Sequence, residues 1–302
     1  MFSSQLYNQQ TSWNDIVSVL NTMEQGRWES VYFYDHFVPP WSHTDEVRES
    51  DTLPTLEGIT LMAAAAAVTT RLKLGVLVAG NTYRNPALMA KMIATMDEIS
   101  GGRAQYCIGA GWNVREHQAY GWEFPSMRER SDRLEEACEL VKQLFTTDGM
   151  FDYNGKYYQL KSAPFEPKGV KGRIPIMVGG NGEKRTLRTA AKYADICNLV
   201  GVSPSDVSHK KEVLHRHCEA VGRDPSEIKM SAHVPMRIER DEERAKQLRG
   251  GRDHLMIGPP QYVIDRCADY INAGTEEFML QSIQQRPDRY AELNEEIFPA
   301  FD

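Results

Sequence analysis

An eight-stranded (β/α)8 barrel of the TIM type is the fold class this sequence predicts, and three observations predict it. Short apolar, β-branched runs recur eight times along the 302 residues. Segments with helical periodicity separate them. Alternating strands and helices imply a parallel sheet, and eight such units imply closure into a ring with the helices outside. The turn after the first run, Tyr7-Asn8-Gln9-Gln10-Thr11-Ser12, contains no glycine, whereas the competing open, doubly wound sheet usually carries a glycine-rich turn there.

The strand runs are 2–6, 31–35, 72–79, 104–109, 174–179, 194–200, 229–236 and 277–281, and their side chains suit a pleated, buried surface. Between them Leu134, Ala137, Cys138, Val141, Leu144 and Phe145 recur at the i, i+3, i+4, i+7 spacing of one helix face. Leu187, Ala190, Ala191 and Ala194 do the same, as do Ile264, Cys267, Ala268 and Ile271. These stripes predict crossover helices packed on the sheet. The alternation breaks twice within what reads as one domain over 1–302. At about 146–173, after the fourth helix, Asn154-Gly155 stands between aromatic runs and predicts a hairpin-containing insertion. At about 237–258 a run of charges ends in Gly258-Pro259-Pro260, which reads as either a solvated helix and loop or a lid over the barrel mouth.

Composition narrows the function classes. A formal charge of -7, without a cluster of basic residues, lacks the electrostatic footprint that a phosphate backbone needs, so nucleic acid is not an expected partner. The five cysteines (Cys107, Cys138, Cys197, Cys218, Cys267) have no paired spacing and fall mostly in apolar runs, so they read as buried, unpaired thiols. No HExxH spacing occurs, and His215 with His217 cannot face one way on a helix, so no metal is expected. No run of about 18 apolar residues and no basic-then-apolar leader is present. The expected location is the cytoplasm, away from membranes.

In a closed barrel the active site is built from loops after the carboxyl ends of the strands. His36 is the histidine set directly at such an end, and an imidazole suits proton transfer to or from a bound small molecule. The bland alternative is a histidine bonded within its loop. Asp35 reads equally as a cap for the following turn and as a cofactor contact. Val178-Gly179-Gly180-Asn181-Gly182 and Gly109-Ala110-Gly111-Trp112 each carry a strand into a glycine turn, which permits close approach of an anion such as phosphate or serves geometry alone. Trp41, Trp112 and Trp122 are either core or aromatic walls around a planar ligand.

Five ordered motifs give the chain a resemblance to the luciferase-like monooxygenase superfamily, in its branch using coenzyme F420. They are Tyr34-Asp35-His36-Phe37 with Trp41 downstream, the run 79–86, Ser100-Gly101-Gly102-Arg103, Gly109-Ala110-Gly111-Trp112-Asn113 with Glu116, His117, Tyr120 and Gly121, and Val178-Gly179-Gly180. The resemblance covers nearly the whole chain. It implies a cofactor ring leaning on a bulge after the third strand, around 77–80, where such barrels often hold a non-prolyl cis peptide. The cofactor contacts it implies are Asp35, Val78, Ala79, Gly80, Asn81, Ala110, Gly111, Trp112, Arg115, Val178, Gly179, Gly180 and Asn181. Of these, Ala110, Gly111 and Arg115 would face Gly179 and Gly180 across the phosphate tail. Trp41 would line the substrate pocket, and a homodimer is implied.

In the family's sugar-phosphate dehydrogenases the histidine matching His36 works beside a glutamate in the loop after the fourth strand. Trp112 stands there in this sequence, so His36 is expected to handle its proton without a carboxylate. That points away from sugar phosphates and towards reduction of a carbonyl or activated double bond, or oxidation of another alcohol, with hydride moving to or from C5 of the deazaflavin. Three other readings stay open. A monooxygenase using reduced FMN keeps the fold; a barrel isomerase or aldolase would want a lysine or paired carboxylates at strand ends; a non-catalytic flavin-binding protein would need no intact His36.

Overall fold

Residues 1–40, 46–281 and 283–301 are described by a computed structural model. Among them eight parallel strands form the ring: β1 (Phe2–Leu6), β2 (Trp28–Phe33), β3 (Lys73–Val76, resumed at Ala79–Gly80), β4 (Tyr106–Gly109), β5 (Ile176–Gly179), β6 (Ile196–Val200), β7 (Lys229–Ile238) and β8 (Glu277–Gln281). Neighbours run in the order 3-2-1-8-7-6-5-4. The third strand closes the ring by changing partner along its length. Its first half pairs with β2 at Phe33↔Val76, and its second half pairs with β4 at Gly80↔Gly109. The break between the halves is the Leu77–Val78 peptide, which is cis and lies inside the segment where the resemblance placed one.

Side-chain parity decides what each strand residue does, because successive residues point to opposite faces. Val31, Phe33, Val76, Ile108, Val178, Leu199, Val234 and Leu280 fill the shell between sheet and helices. Tyr32, Leu77, Cys107, Met177, Ile196 and Met279 fill the ring itself, with Val78 resting on them. The interior is therefore a packed core and not a pore. Gly75 makes room for it: a Cβ there would come within 2.9 Å of the Tyr32 ring and the Cys107 sulfur.

Local signals place the crossovers. The helix Pro86–Ser100 begins where Asn85 accepts hydrogen bonds from the Ala87 and Leu88 N–H groups, and ends at Gly101 with φ +70°, the left-handed stop that glycine adopts without a steric cost. The stripe from Leu134 to Phe145 is the buried face of the helix Met127–Thr146. One stripe is corrected. The helix Pro260–Ala273 buries Val263, Cys267 and Tyr270, while Ile271 is half out in solvent. The Tyr270 hydroxyl donates to the Val202 carbonyl (2.6 Å), and seating that ring turns the helix one residue away from the Ile264–Ala268–Ile271 line.

The stretch 146–173 carries an antiparallel hairpin, Met150–Asn154 with Gln159–Pro164. Its connection is four residues long and not a two-residue Asn-Gly turn, because Glu136 Oε1 accepts from the Tyr157 and Tyr158 N–H groups, both at 2.8 Å, and holds the loop on the neighbouring helix. The stretch 237–258 folds as the helix Glu242–Arg249 and a strand, Met256–Gly258, laid parallel on the end of β7. The five cysteines are buried and unpaired. Among the described residues no helix is long and apolar enough to cross a membrane.

Candidate active site

The segment after β2 builds the first wall of the mouth. Asp35 is buried, and its Oδ2 accepts from the Gly80 N–H (2.9 Å) and from Arg84 Nη1 (2.8 Å). Arg84 reaches on through Nη2 to Glu57 Oε1 (2.5 Å). Burial pushes the Asp35 carboxyl up, and the Arg84 charge opposes that shift. The two residues form an ion pair that fixes the bulge from behind. Asp35→Ala leaves Arg84 with Glu57 and takes the acceptor from the buried Gly80 N–H, so it is expected to cost about 1–3 kcal/mol. Chemical denaturation checks this, and a loss below about 1 kcal/mol would mean that the pair does not hold the bulge.

His36 is not alone. Its Nδ1 lies 2.9 Å from Glu116 Oε2, while Glu116 Oε1 accepts from the Phe37 N–H (2.7 Å) and the Val38 N–H (3.2 Å). The Tyr83 hydroxyl donates to Glu116 Oε2 at 2.6 Å. Glu116 itself has no solvent exposure. Burial works against its charge, but the bonds from His36, Tyr83 and Phe37 outweigh it and hold the carboxyl below its ordinary range. Burial and that charge push the Tyr83 phenol well above its usual value. An ionised carboxylate facing Nδ1 requires the proton on Nδ1, so Nε2 of the neutral ring carries the lone pair. Among the described residues Nε2 has no hydrogen-bond partner. Trp112 packs against the imidazole edge-on, with centroids 5.2 Å apart.

The expectation of a histidine without a carboxylate is therefore overturned. Trp112 does occupy the loop position, but the helix Val114–Tyr120 follows at once, capped by Asn113, and Glu116 in its first turn points back onto 36–38.

The remaining predicted residues divide between mouth and shell. Val78 lies over two glycines, where a Cβ on Gly109 would come 2.7 Å, and on Gly179 2.8 Å, from its methyl groups. Ala79 and Val178 point away from the mouth into the outer shell, so their side chains cannot line it; alternation puts them opposite Val78 and Gly179. Gly80 sits under the Tyr83 ring. Asn81 is tied through Nδ2 to the Tyr158 hydroxyl of the hairpin (3.0 Å). Gly111 has φ +79°, and Ala110 packs partly against the shell. The Gly180 N–H already donates to the Asn198 carbonyl (2.9 Å), and Asn181 bonds both ways with Val200 (2.7 and 2.9 Å). The turn after β5 is thus closed onto β6, and four further residues, 182–185, precede the helix Thr186–Tyr193. Arg115 places Nε 3.0 Å from Asp51, which leaves its terminal nitrogens for an anion. Trp122 belongs to an aromatic cluster with Phe37, Tyr83 and Tyr120. Trp41 lies outside the described residues.

Sequence reasoning missed His233. It lies on β7 in register with Val200 and Met279, is 6% exposed, and burial lowers its pKa to about 4. An unfolded histidine titrates near 6.5, so between that value and about 4 the unfolded chain binds the extra proton. Stability is complete above pH 6.5 and is lost as pH falls towards 4, by about 3 kcal/mol. Thermal melts across that window are expected to show His233→Phe flatter than wild type; parallel curves would remove His233 from the acid response.

The sequence pattern of the family described as luciferase-like monooxygenase matches residues 1–256. The chain is 28% identical over 238 residues to an F420-dependent glucose-6-phosphate dehydrogenase of Amycolatopsis mediterranei, covering 76% of this chain and 67% of that one. It is 31% identical over 223 residues to a 5,10-methylenetetrahydromethanopterin reductase of Archaeoglobus fulgidus, covering 72% and 64%. A solved F420-dependent secondary alcohol dehydrogenase, in complex with an F420–acetone adduct, superposes with a TM-score of 0.83 over 100% of this chain and 99% of its own, at 21% identity. That likeness is one of fold.

Proposed function

Because the chain belongs to the luciferase-like monooxygenase family, we propose that it is an oxidoreductase moving a hydride between coenzyme F420 and a small organic substrate, with His36 handling the accompanying proton. The observation that carries this reading is the His36–Glu116 pair at the barrel mouth. The names of the relatives support the cofactor.

The residues present fit a flat, phosphate-tailed group. A ring needs an unobstructed face, and Val78 offers one where Gly109 and Gly179 remove the side chains that would displace it. Asp35, Arg84 and Gly80 keep that face in place from behind. The tail would run along Ala110 and Gly111 towards Arg115, whose guanidinium complements an anion. Gly180 and Asn181, already bonded to β6, would border it and shape it. When bound, F420 supplies a two-electron acceptor or donor at C5 of its deazaflavin.

The protein's own part is the proton. Glu116 holds Nδ1–H, which aims the ring and leaves Nε2 as a base for an alcohol O–H; charged, the same nitrogen is an acid for a carbonyl oxygen. Tyr83 and the Phe37 and Val38 N–H groups keep Glu116 fixed and ionised, so the imidazolium formed in the alcohol direction has a counter-charge. Trp112 and Tyr34 pack beside the ring and limit water around it. A secondary alcohol and its ketone are the substrate pair this arrangement serves best. Their interconversion needs one hydride and one proton.

The test is a titration of purified protein with F420, FMN and NADPH, following tryptophan fluorescence, with Trp112 as the near reporter. F420 is expected to bind at about micromolar concentration, the range typical of enzyme ligands. Binding of FMN alone would move the assignment to a reduced-FMN monooxygenase. Failure of both to bind would refute the cofactor reading.

A further inference from the structure

The hairpin that interrupts the alternation of strands and helices reaches the wall of the mouth. Tyr158, one residue before its return strand, is fixed at the backbone. Its N–H and that of Tyr157 donate to Glu136 Oε1, both at 2.8 Å, and its carbonyl accepts from the Gly155 N–H (3.0 Å). A glycine is required at 155, because a Cβ there would strike the Glu136 carboxylate and the Tyr153 ring. With the backbone held on the helix Met127–Thr146, the phenol extends to Asn81, and its oxygen accepts from Asn81 Nδ2 (3.0 Å). Asn81 is buried and directly follows the bulge. Its own N–H donates to the Gly109 carbonyl (2.9 Å), while the Gly80 N–H donates to Asp35. Two side chains therefore hold the segment 79–81, one carried by β2 and the other by the hairpin.

The far end of the Asn81 amide meets a cavity. Asn81, Tyr106, Ala79, Gly80 and Met89 are among the residues that line it, and its volume, about 10 Å³ for the centre of a water, holds one molecule. Among the described residues Asn81 Oδ1 and the Tyr106 hydroxyl are buried without a partner. A water that accepts from the Tyr106 O–H and donates to Asn81 Oδ1 completes both. We propose that Tyr158 is a positioning residue for the wall of the mouth: the hairpin braces the bulge through Asn81, and one ordered water in this cavity finishes the brace by bridging Asn81 to Tyr106. An amide bonded at one end and bridged at the other has a fixed rotamer, and Asn81 is covalently next to Gly80, so order at the amide is order in the bulge. Without the phenol, Asn81 Nδ2 is a buried donor lacking an acceptor, a state that is relieved when the segment shifts. Tyr158 acts through Asn81, and its effect on F420 rests on the cofactor reading above.

The test uses the full chain as wild type, Tyr158→Phe and Tyr106→Phe, two changes that keep ring and volume. Amide hydrogen exchange is followed on the cofactor-free proteins, and dissociation constants for F420 come from tryptophan quenching. Tyr158→Phe is expected to speed exchange at Gly80 and Asn81 about tenfold, one buried hydrogen bond's worth, and to weaken F420 by a similar factor. Ile108 on β4 and Tyr157 in the hairpin should keep their wild-type rates, since Glu136 still holds the loop. A hairpin that only stabilises the fold would instead lower the melting temperature and leave F420 affinity alone. Tyr106→Phe takes away one end of the bridge and is expected to speed the same two amides about threefold, the low end for one hydrogen bond. Wild-type rates in that variant overturn the bridging water. Wild-type rates at Gly80 and Asn81 in Tyr158→Phe overturn the brace, and faster rates with unchanged F420 affinity overturn the positioning role. A wild-type protein that binds no F420 refutes the cofactor reading and leaves hydrogen exchange to decide the brace.

Discussion

His36→Ala is expected to bind F420 about as tightly as the wild-type protein and to turn over about 10²–10⁴-fold more slowly, the range that a positioned acid or base contributes. The separation follows from where the ring stands. It packs beside Trp112 and Tyr34 and bonds to Glu116, so its removal strips the proton relay while the Asp35 bonds to Gly80 and Arg84 still hold the bulge. Stopped-flow reduction of F420 with a panel of secondary alcohols, beside equilibrium titration, reads both quantities. Unchanged turnover would remove His36 from the chemistry. A joint collapse of binding and turnover would recast it as part of the cradle.

The barrel was legible because its signals are local and repeated: eight apolar runs, stripes at helical spacing, and caps such as Asn85 and Gly101 that need only neighbours in sequence. The mouth was legible as a location for the same reason. What the sequence could not give is which residues meet across it. Glu116 lies 80 positions from His36, and no spacing rule spans that distance. A search for a carboxylate directly after β4 finds Trp112, although Asn113 followed three residues later by Glu116 is the pattern of a helix start. There the glutamate would ordinarily turn back to its own cap; here it serves the 36–38 loop. Strand parity, by contrast, was available and decides two residues. If Gly179 faces the mouth then Val178 cannot, and if Gly80 abuts the Tyr83 ring then Ala79 turns to the shell. His233 was hidden because an isolated histidine in an apolar strand carries no pattern.

Glu116→Gln tests the relay more sharply than deletion of the histidine, because it keeps shape and changes one proton. The glutamine oxygen can still accept from Phe37 and Val38, which places its NH₂ against His36 Nδ1 and the Tyr83 hydroxyl. Nδ1 must then become the acceptor and Nε2 must carry the hydrogen, so the ring facing the substrate is in the wrong tautomer to take a proton. Turnover in the alcohol direction is expected to fall about 10²–10⁴-fold with F420 affinity unchanged. The variant also tests stability, with a definite sign. The folded pKa of Glu116 lies below its ordinary value, so the charged form stabilises the wild-type protein at neutral pH, and that advantage is lost as pH falls from the ordinary glutamate pKa through the lowered one. Melting temperatures of wild type and variant should therefore differ at neutral pH and converge in acid. If turnover survives while the melting curves behave in this way, Glu116 is a structural anchor for the 36–38 loop, and the proton must reach His36 without its help.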